Sequence, residues 1–232
     1  MWIGRGTRLT SSRQASHSEN AIFAATGGLL DAFTYLGYGH TFANSMTGNL
    51  VLLVLNAVQH DWRSALRHTI AIVSFALGVS AARYIPGFFN RIQQADMAIV
   101  GLEMAIFASV SLMPAAAPDT RLAFCVAFAA ALQVEAFKIV EGYPYSSTFT
   151  TGNPGTLVEG ICDWIADRRM QPDRTMQVLA VICGSFCTGA LAGALLTPIM
   201  SNHTLWVVIL LLGHPLHRLV GKEQQRSVSA AG

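Results

Sequence analysis

The chain of 232 residues is 52% hydrophobic and only 12% charged, whereas an average globular chain carries roughly a quarter charged residues. The net charge is only +2, and the basic residues lie in loop clusters and not along one face. Both observations argue against nucleic acid as a partner. The charges fall in short clusters between long uncharged stretches, as in membrane segments and their loops. The composition therefore predicts an all-α polytopic membrane protein in contact with the lipid bilayer.

Four apolar stretches follow a tail, residues 1–19, that carries three arginines and is predicted to be cytoplasmic. Each stretch has close to the ~20 residues that cross a membrane as a helix. Turn-forming residues such as Pro86-Gly87 and Pro114 separate them. The predicted helices are a, 20–39; b, 42–59; c, 67–85; and d, 97–113.

The second half repeats this order. Its predicted helices are a′, 120–140; b′, 147–166; c′, 175–196, ending before Pro198; and d′, 204–216. Residues 218–232 are predicted to form a second cytoplasmic tail, because they are polar and basic.

Two constant offsets relate the halves. Thr47-Gly48-Asn49 recurs 104 residues later as Thr151-Gly152-Asn153, and the same offset aligns Asp31 with Glu135. An offset of 111 aligns three residues of helix c with three of c′, namely Phe75, Gly78 and Ala81 with Phe186, Gly189 and Ala192. We interpret the chain as two tandem four-helix repeats, residues 20–114 and 120–217, as internal repeats are in transporters.

The number of crossings decides the symmetry of the repeats. Eight crossings make them parallel, whereas six, with b and b′ re-entrant, make them inverted. Both arrangements put twelve basic residues inside and three outside, so the positive-inside rule does not separate them. We therefore predict six to eight transmembrane helices and favour eight, with b and b′ broken near their Thr-Gly-Asn. The loop at 143–147 lies outside under eight crossings and inside under six.

Three segments resemble the bacterial YoaK-like membrane proteins, a family of unknown function. They are Gly28-Leu29-Leu30-Asp31-Ala32, Asn44-Ser45-Met46-Thr47-Gly48-Asn49-Leu50, and Ala131-Leu132-Gln133 followed by the second Thr-Gly-Asn. The resemblance spans about residues 21–196 and implies a polytopic bacterial membrane protein, but no substrate. After the second motif, Pro154-Gly155 stands where similar chains suggest a leucine and a basic residue, which weakens any role for the start of b′.

Two acidic residues at matched positions are the main site candidates. A carboxylate inside a membrane helix costs at least roughly 2.5 to 3.5 kcal/mol, so Asp31 either binds a proton or cation in a polar cavity or accepts hydrogen bonds from helix b, for example from Thr47 or Asn49. Glu135 has Lys138 one turn away as an ion-pair partner. Glu103 needs a partner from another helix, for which Lys138 or Arg83 qualifies.

The Thr-Gly-Asn motifs suit either a broken helix that binds ions or a simple N-cap. The residues expected to bind a solute or ion are Asp31, Glu135, Thr47, Asn49, Thr151, Asn153 and Gln133. No enzyme motif is present, so neither catalysis nor a cofactor or metal is expected.

The predicted function is transport of a small solute or ion, such as a proton, through a site between the two repeats. An accessory or structural membrane protein without transport activity is the alternative. The predicted location is the bacterial cytoplasmic membrane, with the N-terminus in the cytoplasm. A homo-oligomer is left open by the sequence.

Overall fold

A computed structural model of the chain describes residues 17–114, 119–137, 139–140, 143–144, 152–166 and 174–229. The helices are α1, His17–Gly37; α2, Met46–Val58; α3, Trp62–Tyr84; α4, Ile92–Ser111; α5, Asp119–Ala136; α6, Gly152–Ala166; α7, Arg174–Met200; and α8, Leu205–Ser229. Two-residue strands, β1 (Ile139–Val140) and β2 (Tyr143–Pro144), pair antiparallel. The predicted helical class is confirmed, apart from this small hairpin.

Several predicted boundaries are wrong. Helix b is not broken at Thr47-Gly48-Asn49, because α2 begins one residue before this motif and runs to Val58. Helix c′ does not end before Pro198, which lies inside α7. The segment predicted as a C-terminal tail continues α8 to Ser229, because its polar side chains contact the starts of α1 and α4.

Polar contacts identify one end of the helix bundle, which we call the Glu19 end. Arg91 Nη1 lies 2.7 Å from Glu223 Oε1. Glu19 Oε1 lies 3.6 Å from both Arg218 Nε and Lys222 Nζ. The start of α1, the start of α4 and the last turns of α8 therefore meet at this end.

The opposite end is called the Met113 end. There Asn202, just before α8, donates from Nδ2 to the Met113 carbonyl oxygen at 3.0 Å. Near the Glu19 end, Gln93 Nε2 donates to the Leu219 carbonyl oxygen at 2.7 Å. Helices α4 and α8 are therefore antiparallel.

Two helix pairs run parallel and approach closely through glycine. A Cβ atom added at Gly193 of α7 would lie 2.6 Å from the Leu29 carbonyl oxygen of α1, and one at Gly189 would collide with that of Ala25. In the same way, Gly78 of α3 abuts the Phe128 carbonyl oxygen of α5. Small residues permit such close backbone contact between membrane helices, so these glycines set the two tightest crossings.

These contacts give the direction of each long helix. Helices α1, α4 and α7 run from the Glu19 end to the Met113 end, and α3, α5 and α8 run back. Helix α2 lies between the end of α1 and the start of α3, which are both at the Met113 end. Helix α6 lies between the end of α5 and the start of α7, both at the Glu19 end.

Length distinguishes α2 and α6 from their neighbours. They have 13 and 15 residues, about 20 to 22 Å at 1.5 Å per residue, against a hydrocarbon core of roughly 30 Å. Within the described residues, three helical stretches are long and apolar enough to cross a membrane: Trp62–Phe88, Ile92–Ser111 and Arg174–Arg226, the last of which covers α7 and α8.

Candidate functional site

The segment between α1 and α2 turns back into the bundle. Gly39 and His40 adopt positive φ angles of 72° and 58°, a left-handed conformation that reverses the chain. Asn44 Nδ2 then donates to the Gly27 carbonyl oxygen at 3.2 Å. Gly27 lies ten residues before the end of α1, about 15 Å along the axis. Helix α2 thus begins near the middle of α1.

Asp31 holds the start of α2 in this position. Its Oδ1 accepts from the main-chain N–H of Asn44 at 2.7 Å, and its Oδ2 accepts from the Ser45 hydroxyl at 2.8 Å. The side chain is only 5% exposed. Since the N-terminus of a helix carries partial positive charge, the carboxylate is stabilised by the helix end as well as by hydrogen bonds.

Asn49, one turn into α2, closes the same segment. Its Oδ1 accepts from the Phe42 main-chain N–H at 2.9 Å, and its Nδ2 donates to the Phe42 carbonyl oxygen at 2.7 Å. Its Oδ1 also lies 3.4 Å from Nδ1 of His68, a buried residue of α3. The amide satisfies backbone groups that would otherwise be unpaired inside the membrane.

Two other predicted site residues, Thr47 and Gln133, form no hydrogen bond with Asp31 in the described part of the chain. Thr47 of α2 is exposed. Gln133 of α5 is buried, but its Nε2 donates to the Phe23 carbonyl oxygen and pairs with Thr26 Oγ1, both at 3.2 Å. Gln133 therefore ties α5 to α1 nearer the Glu19 end.

The corresponding site of the second repeat is described only in part. Glu135 is half-buried in α5. Thr151 and Lys138 lie outside the described residues, and Asn153 is described by its backbone alone, in the first turn of α6. The predicted pairing of Glu135 with Lys138 therefore stays a prediction.

Sequence reasoning missed the residues that bind Asp31. Donors were expected from helix b, for example Thr47 or Asn49, and the observed donors are Asn44 and Ser45, which lie within the predicted bounds of helix b. Both stand before the Thr-Gly-Asn motif, within the Asn-Ser-Met-Thr-Gly-Asn segment. Asn and Ser are frequent N-cap residues, and this was the signal available for placing the helix start there.

Five polar side chains lie at or near the start of α2. Among the described residues, no group of three His, Cys, Asp or Glu side chains is placed to hold a metal ion. The cluster instead offers one carboxylate, two amides, one hydroxyl and one imidazole, from Asp31, Asn44, Asn49, Ser45 and His68. Such groups bind or pass a proton, or bind a small polar solute by hydrogen bonds.

Apolar helices of membrane-crossing length, joined by buried polar side chains and close glycine contacts, define a multi-pass helical membrane protein. The family model described as "Protein of unknown function (DUF1275)" matches residues 20–214, and the chain belongs to this family. It is 27% identical over 201 residues to the UPF0700 transmembrane protein YoaK of Bacillus subtilis (strain 168), an alignment that covers 83% of this chain and 88% of that protein. The predicted YoaK-like family is thereby confirmed. No solved structure matches the chain.

Proposed function

We propose that the chain is a small-solute or ion transporter of the bacterial cytoplasmic membrane, with Asp31 as a proton- or cation-binding carboxyl. The observation that carries the proposal is the start of α2, buried halfway along α1 on the Asp31 carboxylate. Half-helix ends near the bilayer midplane form the substrate and ion sites of several transporter folds. No catalytic activity is part of the proposal.

The path of the chain supports six crossings with α2 and α6 re-entrant. Each helix of the first repeat then crosses in the direction opposite to that of its counterpart, α1 opposite to α5, α3 opposite to α7 and α4 opposite to α8. This makes the two repeats inverted, the arrangement that alternating-access transporters use. The eight crossings that the sequence favoured are replaced in this proposal.

The helix contacts support the repeat itself. Exchanging each helix of the first repeat for its counterpart turns the α1–α7 contact into α5–α3, α2–α3 into α6–α7, and α4–α5 into α8–α1, and all of these pairs are in contact. Gly78 and Gly189, which the sequence aligns, occupy the two equivalent crossings. Their partners, Ala25 and Phe128, are 103 residues apart, one fewer than the offset of 104 that aligns α1 with α5.

Charge supports a cytoplasmic Glu19 end. Six crossings place twelve basic residues on that side and leave Arg63, Arg67 and Arg121 at the Met113 end. By the positive-inside rule, the side with more Lys and Arg faces the cytoplasm. The N-terminus and the C-terminus then both lie in the cytoplasm.

Topology is tested with the variants Tyr145→Cys and Gln59→Cys, each made in a chain whose four native cysteines are replaced. The thiol of Tyr145→Cys is expected to react with a membrane-impermeant maleimide only after the cytoplasmic side is opened. The thiol of Gln59→Cys is expected to react in intact cells. Labelling of Tyr145→Cys from outside would restore eight crossings and remove the inverted-repeat argument.

Transport is tested in proteoliposomes that contain a pH-sensitive dye or are supplied with radioactive sodium. We expect wild-type protein to raise proton or sodium flux above that of protein-free vesicles. Asp31→Asn keeps a similar shape and an acceptor oxygen for the Asn44 N–H, but loses the charge, so it is expected to abolish the flux. Equal flux for the two folded proteins would contradict the proposal.

A non-transporting structural or accessory protein is the second candidate. It is favoured by the hydrogen bonds of Asp31, which all link α1 to the segment before α2. Under this candidate no tested ion moves, and a partner protein co-purifies in stoichiometric amount with wild type in mild detergent.

A further inference from the structure

A second buried carboxyl lies in α4, away from the Asp31 cluster. Glu103 is 0% exposed, and neither of its side-chain oxygens has a hydrogen-bond partner in the described part of the chain. Arg83, which the sequence offered as a partner, is exposed on α3. Buried polar groups are nearly always hydrogen-bonded, so this residue is unusual.

Glu103 lies near the middle of a helix that can cross the membrane. It is the twelfth of the 20 residues of α4, about 17 Å from the start of that helix. Ile99 and Phe107, one turn before and after it, are fully buried in the apolar core. Glu103 therefore faces the interior of the bundle and not the lipid.

The neighbouring helices offer Glu103 apolar surroundings. The antiparallel contacts of α4 with α8 place Glu103 opposite the part of α8 that buries Val208 and Leu212. The nearest titratable side chain on that part of α8, His214, is exposed. On α5, the thiol of Cys125 packs half-buried against the same core.

We propose that Glu103 is a proton-binding site at the contact between α4 and α8, separate from the site at Asp31. An ionised carboxylate without a partner is strongly disfavoured in such surroundings, and a bound proton removes the charge. A metal ion would need several oxygen ligands, and the described residues provide no such group. The proton is the ligand that one isolated carboxyl can hold.

Two further polar residues of α4 lie between Glu103 and the Glu19 end, with the apolar Ile99 one turn before Glu103. Asp96 lies two turns before Glu103 and Gln93 one turn earlier, and both are largely buried. No other acidic side chain lies on α4. The proposal for Glu103 does not depend on transport through the Asp31 cluster.

Infrared difference spectroscopy tests the protonation state directly. The wild-type spectrum minus that of Glu103→Gln at neutral pH is expected to contain the carbonyl band of a protonated carboxyl. The matched control, Glu159→Gln, changes an exposed glutamate of α6 and is expected to remove only carboxylate bands. Carboxylate bands at Glu103 would show an ionised group paired with a cation and would overturn the proposal.

Labelling with dicyclohexylcarbodiimide gives a second measurement that needs no variant. A protonated carboxyl adds across the carbodiimide, its proton passing to nitrogen, and acyl migration leaves a stable N-acylurea without a leaving group. Mass spectrometry is expected to find this adduct on Glu103, with a yield that falls as the pH is raised. A wild-type protein that stays unlabelled at Glu103 at every pH would overturn the proposal, even if Glu103→Gln fails to fold.

Discussion

Asp31 and Glu103 are both buried acids in apolar helices, yet their surroundings differ completely. Asp31 receives a main-chain N–H, a hydroxyl and an amide, and it stands at the positive end of α2. Glu103 receives no hydrogen bond from the described residues. Burial alone therefore does not determine the charge of an acidic side chain or the ligand that it binds. The groups around the carboxyl determine both.

The largest effect is expected when the Asp31 side chain is removed. Asp31→Ala leaves the Asn44 N–H and the Ser45 hydroxyl without acceptors inside the bundle, and the unfolding free energy is expected to fall by about 3 kcal/mol. Thermal unfolding in detergent measures this. Asp31→Asn, which keeps one acceptor, is expected to lose less. Equal losses for the two variants would show that the hydrogen bonds do not hold α2.

Asn49 forms the second set of hydrogen bonds that hold the segment before α2. Asn49→Ala removes both hydrogen bonds to the Phe42 backbone and is expected to lower the unfolding free energy by about 2 kcal/mol. The matched control is Thr47→Ala, two residues away in the motif but exposed, with an expected change within about 0.5 kcal/mol. Equal effects at the two positions would contradict the assignment of Asn49 as the structural member of the motif.

Replacing Glu103 is expected not to lower the unfolding free energy. Glu103→Leu replaces an unpartnered polar group by an apolar one of similar size, which is neutral or stabilising by about 1 kcal/mol. The same thermal measurement applies. A loss as large as that of Asp31→Ala would mean that Glu103 has a partner, and the contrast between the two acids would disappear.

The smallest effect is expected at Asp61, an acid at a helix start in water. Its carboxylate accepts from the Ser64 main-chain N–H at 3.2 Å at the start of α3. Hydrogen bonds from the Ser64 side chain and main chain hold the pKa of Asp61 below its ordinary value of 3.8. The folded state therefore gains stability above pH 3.8, and this gain is lost as the pH falls through the lowered pKa.

Asp61→Asn is expected to change stability little at neutral pH and to remove this small acid dependence. Unfolding midpoints between pH 3 and pH 7, compared with wild type, measure it. If Asp61→Asn lost as much stability at neutral pH as Asp31→Ala, an acid at an exposed helix start would contribute as much as a buried one, contrary to the comparison.

The local pattern of apolar and charged residues was sufficient to predict the positions of most helices. Runs of apolar residues with few charges located the helix ends to within five residues, apart from the C-terminal end of α8, because lipid requires every backbone group to be paired within its own helix. The pattern failed at Pro198 and beyond residue 217. A proline late in α7 removes one hydrogen bond, which close packing on α1 offsets, and the charged end of α8 is held by Glu19 and Arg91, which are distant in sequence.

The sequence by itself determined that the chain belongs in a membrane, that its helices occur in this order, and that Asp31 and the Thr-Gly-Asn segment stand out. Only the tertiary structure decided that the chain between α1 and α3 turns back to the Met113 end, that Asn44 and Ser45 bind Asp31 while Thr47 is exposed, and that Glu103 has no partner among the described residues. Hydropathy reports how well a residue tolerates lipid. The partner of a buried polar group depends on which distant helix is brought beside it, and the composition of one segment carries no record of that.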